Sequence, residues 1–306
     1  MDISVTELLD RARTVEQAGV DSAWLVQLPT LRDSASVLAA LAVSTRTLRL
    51  GAAVLPYYSR PPAMMGQTAA TIDELSGGRF TLAVGTGHPM IAEWSLGRSP
   101  GNTLALMREY LTAVRGLLRE GEIALEGNRY RVHAVYSSPR RPDQPVYLGA
   151  FGPKMCFLAG ELADGLVLWM CTPGYVADVA LPKVQAGLRE GGRDTADFGI
   201  TVVIPGGVSA DLDFDRQVLR RYLSTYARVP NYRRMYEASG LASEIASGQV
   251  GDALLDGVGV VGDENQVRAG IQRYHDAGAT EVVLAPMAGA HYDRALLQRT
   301  AEALAG

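Results

Sequence analysis

Hydrophobic residues follow two alternating patterns along this chain: short apolar runs, and longer segments in which apolar residues recur at helical spacing. Such alternation is typical of a parallel β-sheet covered by helices. The short runs predict strands at residues 22–26, 48–54, 80–84, 145–149, 166–170, 199–204 and 281–285. The longer segments predict helices at residues 34–44, 63–75, 102–120, 153–163, 176–187, 214–227, 231–239 and 264–277. We therefore expect an α/β fold in which each strand has a helical partner.

The chain begins on a helix rather than on a strand. Ser4 and Glu7 have the spacing of a capping box, and the apolar residues that follow share one helical face, which ends near Gly19. A chain of 306 residues has the size of one (β/α)8 TIM barrel, so we expect a single domain over residues 1–306. An eight-stranded barrel needs a strand before Ser4, where only residues 1–3 are available. We expect the first strand to be short or missing.

The long connection between the strands at 80–84 and 145–149 is an insertion with its own secondary structure. It contains the predicted helix at 102–120 and then a hairpin turn at Glu126–Arg129. Because it follows the carboxyl end of a strand, we expect it to form a wall of the substrate pocket. A second segment, residues 239–257, is rich in Gly, Ser and Ala with weak periodicity, and we expect a mobile loop or lid there.

Composition narrows the classes of partner. Hydrophobic residues make up 47% of the chain, enough for a large core, and the net charge of −4 argues against nucleic acid or an anionic membrane as a partner. Cys156 and Cys171 are too far apart for a metal-binding pair and too few for a disulfide framework, so we expect two reduced thiols and no metal. Since neither a signal peptide nor a membrane-spanning apolar run is present, we expect a cytoplasmic protein.

The segment Gly149–Met155 is the most informative turn of the chain. A buried strand ends there in small residues, and Pro153 stands at the first position of the following helix. Free backbone N–H groups and the positive end of a helix make such a turn a good site for an anion, a phosphate above all. These residues alone equally fit a helix that needs only a tight turn before it.

Other segments carry weaker chemical signals. His88 follows the strand at 80–84, where active-site residues of barrels gather, so it is a candidate site residue as well as a possible loop cap. Trp169 ends another strand and is expected to line the pocket. Residues 257–262 match G-x-G-x-x-G literally, but no strand is predicted before them and Asp263 caps a later helix, which argues against a dinucleotide fingerprint.

Several motifs together resemble the luciferase-like flavin and deazaflavin oxidoreductases, especially the branch that uses coenzyme F420. The resemblance extends from about Ser4 to the end of the chain. The motifs that carry it are Ala18–Trp24, Leu75–Phe80, Gly149–Met155, Ala159–Gly165 and Val261–Asp263. The family has a (β/α)8 barrel with an insertion after its fourth strand, which corresponds here to the connection that follows residues 80–84.

The resemblance assigns positions to cofactor binding. It implies a non-prolyl cis peptide at Ala53–Val54 behind the central ring of the cofactor, with Thr86 and Gly87 along the polar edge of the ring. It places the cofactor phosphate on the backbone of the turn that follows Gly149. That turn comprises Ala150, Phe151, Gly152, Pro153, Lys154 and Met155. His88 corresponds to a position near C5, where hydride is exchanged.

One departure from the family pattern concerns the residues after the predicted strand at 22–26. Sugar-phosphate dehydrogenases of this group have an Asp-His pair there, whose His is a base, whereas this chain has Gln27-Leu28-Pro29. Gln27 is a candidate catalytic residue that forms hydrogen bonds but takes up no proton near neutral pH. This departure argues against sugar-phosphate dehydrogenation by the same arrangement.

The resemblance therefore implies an F420-dependent oxidoreductase that exchanges hydride at C5 of the deazaflavin. The expected direction is reduction of an activated C=C or C=N bond in a small molecule or natural product, with His88 or a water that it holds supplying the proton. One alternative is an FMN-dependent monooxygenase of the same fold, and another is a non-catalytic flavin-binding subunit. A homodimer is expected because it is common in the family.

Overall fold

The computed structural model describes residues 3–97, 99, 101–194, 197–246, 250–286 and 293–305. The strands are β1 Ser22–Leu25, β2 Arg49–Ala52, β3 Leu55–Pro56, β4 Phe80–Gly85, β5 Glu122–Glu126, β6 Arg131–Val135, β7 Val146–Gly149, β8 Gly165–Trp169, β9 Gly199–Val208, β10 Val260–Gly262 and β11 Glu281–Ala285. The first seven helices are α1 Val5–Gln17, α2 Ser34–Ser44, α3 Pro62–Ser76, α4 Pro89–Leu96, α5 Thr103–Glu120, α6 Pro153–Leu162 and α7 Pro173–Tyr175. The others are α8 Leu181–Glu190, α9 Leu212–Ala227, α10 Pro230–Ala238, α11 Ala242–Ala246, α12 Asp252–Val258, α13 Glu264–Asp276 and α14 Arg294–Ala305.

The strands form a parallel sheet that is nearly closed into a barrel with helices around it. The order of neighbours is β1, β2, β4, β7, β8 and β9, and β11 pairs with the first part of β9. β2 and β3 are two pieces of one strand, because both pair with β4 on either side of Ala53–Val54. The prediction of an α/β barrel is confirmed, and each predicted strand is present with its ends at most four residues from the expected ones.

Local sequence signals explain where several elements begin and end. Asp33 and Asn102 cap the amino ends of α2 and α5 with their side chains, and Asp263 forms a full capping box with Gln266 on α13. Only half of the predicted box at Ser4 is present: its hydroxyl accepts from the Glu7 amide. The hairpin of β5 and β6 confirms the predicted turn in the insertion after β4.

Several elements differ from the sequence predictions. β10 and the helices α4 and α14 were not predicted, and residues 239–257 contain α11 and α12 rather than a loop, apart from 247–249, which lie outside the described residues. α12 spans only seven residues, yet it buries Leu254, Leu255 and Val258. A helix of two turns shows too few repeats for its periodicity to stand out in the sequence.

Two large rings fill the lower interior of the barrel. Trp24 and Tyr147 lie with their ring centroids 6.2 Å apart. Glycines make this packing possible, since a Cβ atom at Gly51 would overlap the Trp24 ring and one at Gly199 would overlap Tyr147. Above them Ala83 and other small apolar side chains form a buried cluster that supports the upper end of the barrel.

The seam between β1 and β11 is closed by side chains. In the described part of the chain no strand precedes α1, as predicted, and no backbone ladder joins β1 to β11. Ser22 Oγ donates to Glu281 Oε1 at 2.5 Å, and Thr201 Oγ1 donates to Glu281 Oε2 at 3.1 Å. Arg49 adds an ion pair with Glu281 at 3.6 Å.

The two strands at the seam lie side by side as direct neighbours. At their closest, Cα atoms of β1 and β11 come within 8 Å of each other, whereas two strands that flank a third lie about 10 Å apart. Outside the sheet, α1 packs against both α2 and α14 and so covers the seam. Among the described residues, the sheet therefore closes at this seam through Glu281, with α1 over its outer side.

We expect Glu281→Ala to lower the free energy of unfolding by about 1–3 kcal/mol, because it removes two partly buried hydrogen bonds across the seam. Urea denaturation of the variant beside the wild type measures this. Glu264→Ala is the matched control, since Glu264 pairs with Arg299 at the surface and its loss should change stability little. An equal effect of the two substitutions would contradict the role of Glu281 in closing the barrel.

Candidate active site

A cavity of about 510 Å³ lies at the carboxyl ends of the parallel strands. Its walls come from the loops after β1, β4 and β7, from the break between β2 and β3, from the end of β8, and from α9 and α10. This volume is within the range of small-molecule sites. Helices α9 and α10, which follow β9 in the chain, thus form a roof over the barrel mouth.

The cavity brings together nearly all of the sequence-predicted site residues. His88 and Gly152, which are far apart in the chain, line the same space. The other predicted residues in its lining are Gln27, Ala53, Val54, Thr86, Gly87, Gly149, Ala150, Phe151, Pro153, Met155 and Trp169. Lys154 differs: it is exposed on the first turn of α6 and is not part of the lining.

The peptide bond between Ala53 and Val54 is cis, as predicted. The Val54 side chain packs between two glycines at the carboxyl ends of β4 and β7. A Cβ atom at Gly85 would lie 2.9 Å from Val54 Cγ2, and one at Gly149 would overlap Val54 Cγ1. Because neither glycine has a side chain, the floor of the cavity stays flat and close to the backbone.

The turn after β7 presents free backbone donors at the amino end of α6. Gly152 caps this helix and Pro153 occupies its first turn, as the sequence predicts. Among the described residues no acceptor faces the amides of Phe151, Gly152 and Lys154. A Cβ atom added to Gly152 would meet nothing within 4 Å, so open space lies over the turn. Free amides, a helix amino end and open space together suit an anion.

Tyr175 holds this turn from behind. Its hydroxyl donates to the Phe151 carbonyl oxygen, and its ring is buried. The amides of Met155 and Cys156 instead close the first turn of α6 on the Gly152 carbonyl. The turn is therefore fixed by these contacts, while the amides of Phe151, Gly152 and Lys154 have no acceptor among the described residues.

His88 lies at the boundary between the loop and the roof. It precedes α4, and its ring centroid is 5.7 Å from that of Tyr226 and 5.9 Å from that of Tyr232. Burial lowers the pKa of His88 below its usual value, because the charged imidazolium is poorly solvated there. At neutral pH His88 is therefore an uncharged imidazole.

Gly87, next to His88 in the chain, lets the Tyr58 side chain come close to the backbone. Gly87 has a φ of +62°, and a Cβ atom there would lie 2.9 Å from the Tyr58 hydroxyl. Tyr58, which lines the cavity, therefore lies against the backbone between Thr86 and His88. Burial raises the pKa of Tyr58, so its hydroxyl keeps its proton through the neutral range.

Gln27 is engaged in shaping its own loop. Its Oε1 accepts from the Ser34 amide at 2.7 Å, at the amino end of α2, and its Nε2 donates to the Leu28 carbonyl at 3.4 Å. Although Gln27 lines the cavity, these contacts use its amide group for the loop conformation. These contacts indicate that Gln27 positions its loop rather than takes part in the reaction.

The aromatic residues of the roof were not predicted as site residues. Tyr222 and Tyr226 of α9 and Tyr232 of α10 line the cavity, beside Phe151 and Trp169. The only signal in the sequence is that Tyr222 and Tyr226 are four residues apart and so share one helical face. Sequence alone does not show that this face turns toward the barrel mouth.

The described cavity lining carries a positive charge and no negative charge. None of the described lining residues is Asp or Glu, and Arg234, at the rim, is the lining residue with a permanent positive charge. Burial raises the pKa of Tyr222 and Tyr232, which keeps both neutral. In the described residues no group of three His, Cys, Asp or Glu side chains could hold a metal ion, and no described helix is long and apolar enough to cross a membrane.

We expect the His88 imidazole to titrate below pH 6.5, its usual midpoint, since burial disfavours its protonated form. An NMR titration of the histidine ring signals measures this midpoint. His88→Asn identifies the His88 signal by its loss, while the signals of the other histidines serve as internal controls. A midpoint at or above pH 6.5 would show that the ring is better solvated or paired than this geometry implies.

Comparisons with known proteins agree with this geometry. The sequence pattern of the family described as luciferase-like monooxygenase matches residues 2–281. A 5,10-methylenetetrahydromethanopterin reductase of Methanolobus tindarius is 26% identical over 95% of this chain and 94% of its own. An F420-dependent glucose-6-phosphate dehydrogenase of Kineococcus radiotolerans is 30% identical over 90% of this chain and 86% of its own.

Solved structures show the same fold. An F420-dependent secondary alcohol dehydrogenase in complex with an F420–acetone adduct superposes with a TM-score of 0.83, at 20% identity, over 99% of this chain and 96% of the other. At 20% identity this structural similarity shows only a shared fold. Membership in the family is shown by the sequence match over residues 2–281. The chain belongs to the luciferase-like family of oxidoreductases, on the branch whose named members depend on coenzyme F420.

Proposed function

We propose that this enzyme exchanges hydride at C5 of coenzyme F420. In the proposed direction the reduced cofactor, F420H2, gives its hydride to an activated C=C or C=N bond of a small molecule. The observation that carries the proposal is the convergence of three features in one cavity. They are the anion-competent turn at Phe151 and Gly152, the flat floor at Ala53–Val54, and His88. Each comes from a different strand end.

The residues present fit F420. The free amides at Phe151, Gly152 and Lys154, under open space, would hold its phosphate, so Lys154 would contribute its backbone while its side chain stays outside. The flat floor at Val54 would support the ring system, and Thr86 and Gly87 would lie along its polar edge. When bound, the deazaflavin supplies a carbon that takes up or releases hydride.

The protein's own contribution is to position a proton and exclude water. His88 holds a ring N–H at the cavity wall, and Tyr58 holds a hydroxyl beside the neighbouring Gly87. The aromatic roof from α9 and α10 shields this region from solvent, which strengthens any hydrogen bond to a developing negative charge. In its imidazolium form, which is the minor form at neutral pH, His88 would deliver the proton that accompanies hydride transfer, and solvent would restore that proton.

The composition of the wall favours reduction over sugar-phosphate dehydrogenation. The described residues of the cavity lining include no carboxylate, and Gln27 stands where the sugar-phosphate dehydrogenases of the group have an Asp-His pair. Since the Gln27 amide is also engaged by Ser34 and Leu28, it would keep the loop in place rather than take part in proton transfer. The homodimer, the single domain and the cytoplasmic location expected from the sequence stay predictions.

The experiment that tests the cofactor is a titration of intrinsic tryptophan fluorescence with F420 and, separately, with FMN. We expect F420 to quench at lower concentration, because Trp169 lines the cavity that would receive it. Gly152→Val should weaken F420 binding by more than about tenfold, ~1.4 kcal/mol, since its side chain fills the open space over the turn.

Gly174→Val is the matched control for this titration. Gly174 is exposed, and a Cβ atom there makes only ordinary contacts at 3.9 Å, so the same substitution should leave F420 affinity unchanged. Tighter binding of FMN than of F420 would favour the monooxygenase alternative, because reduced flavin reacts with O₂. Unchanged F420 affinity in Gly152→Val would move the phosphate to another part of the cavity.

We expect His88→Ala to lower kcat by about a hundredfold, the scale of a lost general acid, with cyclohex-2-en-1-one as a probe substrate and F420H2 as reductant. F420 affinity should stay the same, since a proton donor acts mainly in the transition state. In the wild type the rate should fall as pH rises through the His88 pKa, which lies below 6.5, and this dependence should disappear in the variant. Loss of F420 binding instead would make His88 a residue that positions the cofactor.

A further inference from the structure

The half of the cavity nearest the roof is walled by aromatic rings from four different elements. Phe151 comes from the turn after β7, Trp169 from the end of β8, Tyr226 from α9 and Tyr232 from α10. We call these four residues the aromatic corner. His88 borders it, since its ring lies within 6 Å of both tyrosines.

The rings of the aromatic corner are inclined to one another, and the planes of Tyr226 and Tyr232 are nearly perpendicular. Phe151 and Tyr232 lie 4.7 Å apart with an angle of 42° between their planes, and Tyr226 meets Tyr232 at 4.8 Å and 79°. Trp169 lies 6.4 Å from Tyr226 on the barrel side. Rings at such distances and angles offer one face for stacking and another for an edge-on contact. A flat ring system fits this corner better than a branched aliphatic one.

The aromatic corner is fixed before any ligand binds. Tyr232 is only 4% exposed, and Met235 and Tyr236 of the same helix are buried behind it. α9, which carries Tyr226, is anchored through the buried Leu219 and Leu223. Because these side chains are already ordered by packing, binding a rigid ring there would cost little conformational entropy.

The charge around the aromatic corner limits the chemistry of its ligand. No described lining residue is acidic, so nothing in the wall would neutralise a cation. Tyr222 and Tyr226 place their hydroxyls 3.3 Å apart beside the corner, and the raised pKa of Tyr222 keeps that hydroxyl protonated. These groups can donate a hydrogen bond to a carbonyl oxygen. The ligand that fits is planar, carries no positive charge and has a hydrogen-bond acceptor.

We propose that the aromatic corner is the substrate subsite and that it takes a planar conjugated carbonyl compound, such as a ring-fused enone or quinone. This inference rests on the proposed function and specifies its substrate. The substrate's conjugated system gains a hydride from F420H2 and a proton from the His88 imidazolium, so its double bond is reduced. The cofactor releases its second hydrogen as a proton, which replaces the one lost by His88 through solvent, so that F420H2 is oxidised to F420. Atoms and electrons balance without any further reactant.

The position of His88 supports this assignment. A ligand stacked on Tyr226 or Tyr232 lies beside the His88 ring, which contacts both. Val54, where the proposed cofactor ring would rest, lines the same cavity. A substrate in the aromatic corner would therefore share this cavity with the hydride source and have the proton source at its side.

The test uses the F420-loaded protein with oxidised cofactor, so that binding is measured without reaction. The planar probe is 2-methyl-1,4-naphthoquinone, and the small non-aromatic probe is cyclohex-2-en-1-one, both titrated by calorimetry. We expect Tyr226→Leu to weaken the naphthoquinone about tenfold, the scale of one lost stacking face. Tyr232→Leu should weaken it as well, because the Tyr232 ring packs against both Phe151 and Tyr226 and holds the corner in place. The cyclohexenone should change by less than about twofold, since it has no aromatic face to lose.

Two further variants separate stacking from folding. Tyr226→Phe keeps the ring and should hold the naphthoquinone within about threefold of the wild type. Tyr136→Leu makes the same change at a half-buried tyrosine outside the cavity lining and should have no effect on either probe. Thermal unfolding and F420 affinity are measured for every variant, to confirm that each is folded and loaded.

The outcomes distinguish this inference from the function on which it rests. If the wild type binds no F420, the proposed function fails. If F420 binds normally and the naphthoquinone is unaffected by Tyr226→Leu and Tyr232→Leu, the substrate subsite alone is wrong. If these variants lose F420 as well, the aromatic corner belongs to the cofactor, and that result also overturns the substrate assignment.

Discussion

The carboxylate of Glu281 holds the first and last strands of the barrel together, and the position of the site depends on that closure. One oxygen accepts from Ser22 of β1, and the other accepts from Thr201 of β9, so a single side chain spans three strands. Without a ladder between β1 and β11, an open sheet could flatten and separate the strand ends that form the cavity. Helix α1 covers the seam from outside, where it packs on both α2 and α14.

Closure matters because the cavity takes one contribution from almost every strand end. The floor comes from the break between β2 and β3, the anion-competent turn from β7, and His88 from β4. Glycine at positions 85 and 149 lets Val54 lie flat against the backbone, and glycine at 152 leaves space over the free amides. The site is therefore built largely from backbone and from missing side chains, which suits a large flat cofactor with a phosphate.

The roof has two opposite effects on proton transfer from His88: it excludes water from the cavity, and it lowers the fraction of His88 that is protonated. The aromatic rings of α9 and α10 exclude water, which favours electrostatic stabilisation in the cavity. The same burial lowers the pKa of His88, so fewer molecules carry the imidazolium at neutral pH, although the imidazolium that forms is a stronger acid. The tyrosine hydroxyls show the opposite shift, since burial raises the pKa of Tyr58 and Tyr232 and keeps them as neutral donors.

The sequence by itself determined the strands, most long helices and the turn at Gly149–Met155, because local periodicity and turn residues report burial and backbone conformation directly. It also placed His88 at a strand end and, through family resemblance, the cis bond at Ala53–Val54. Only the tertiary structure showed that Lys154 is exposed outside the cavity lining, that Gln27 is engaged by its loop, and that Glu281 closes the seam. It alone brought Tyr226 and Tyr232 over the barrel mouth. Contacts between residues far apart in the chain depend on how the barrel closes and how helices turn, and no local pattern records either.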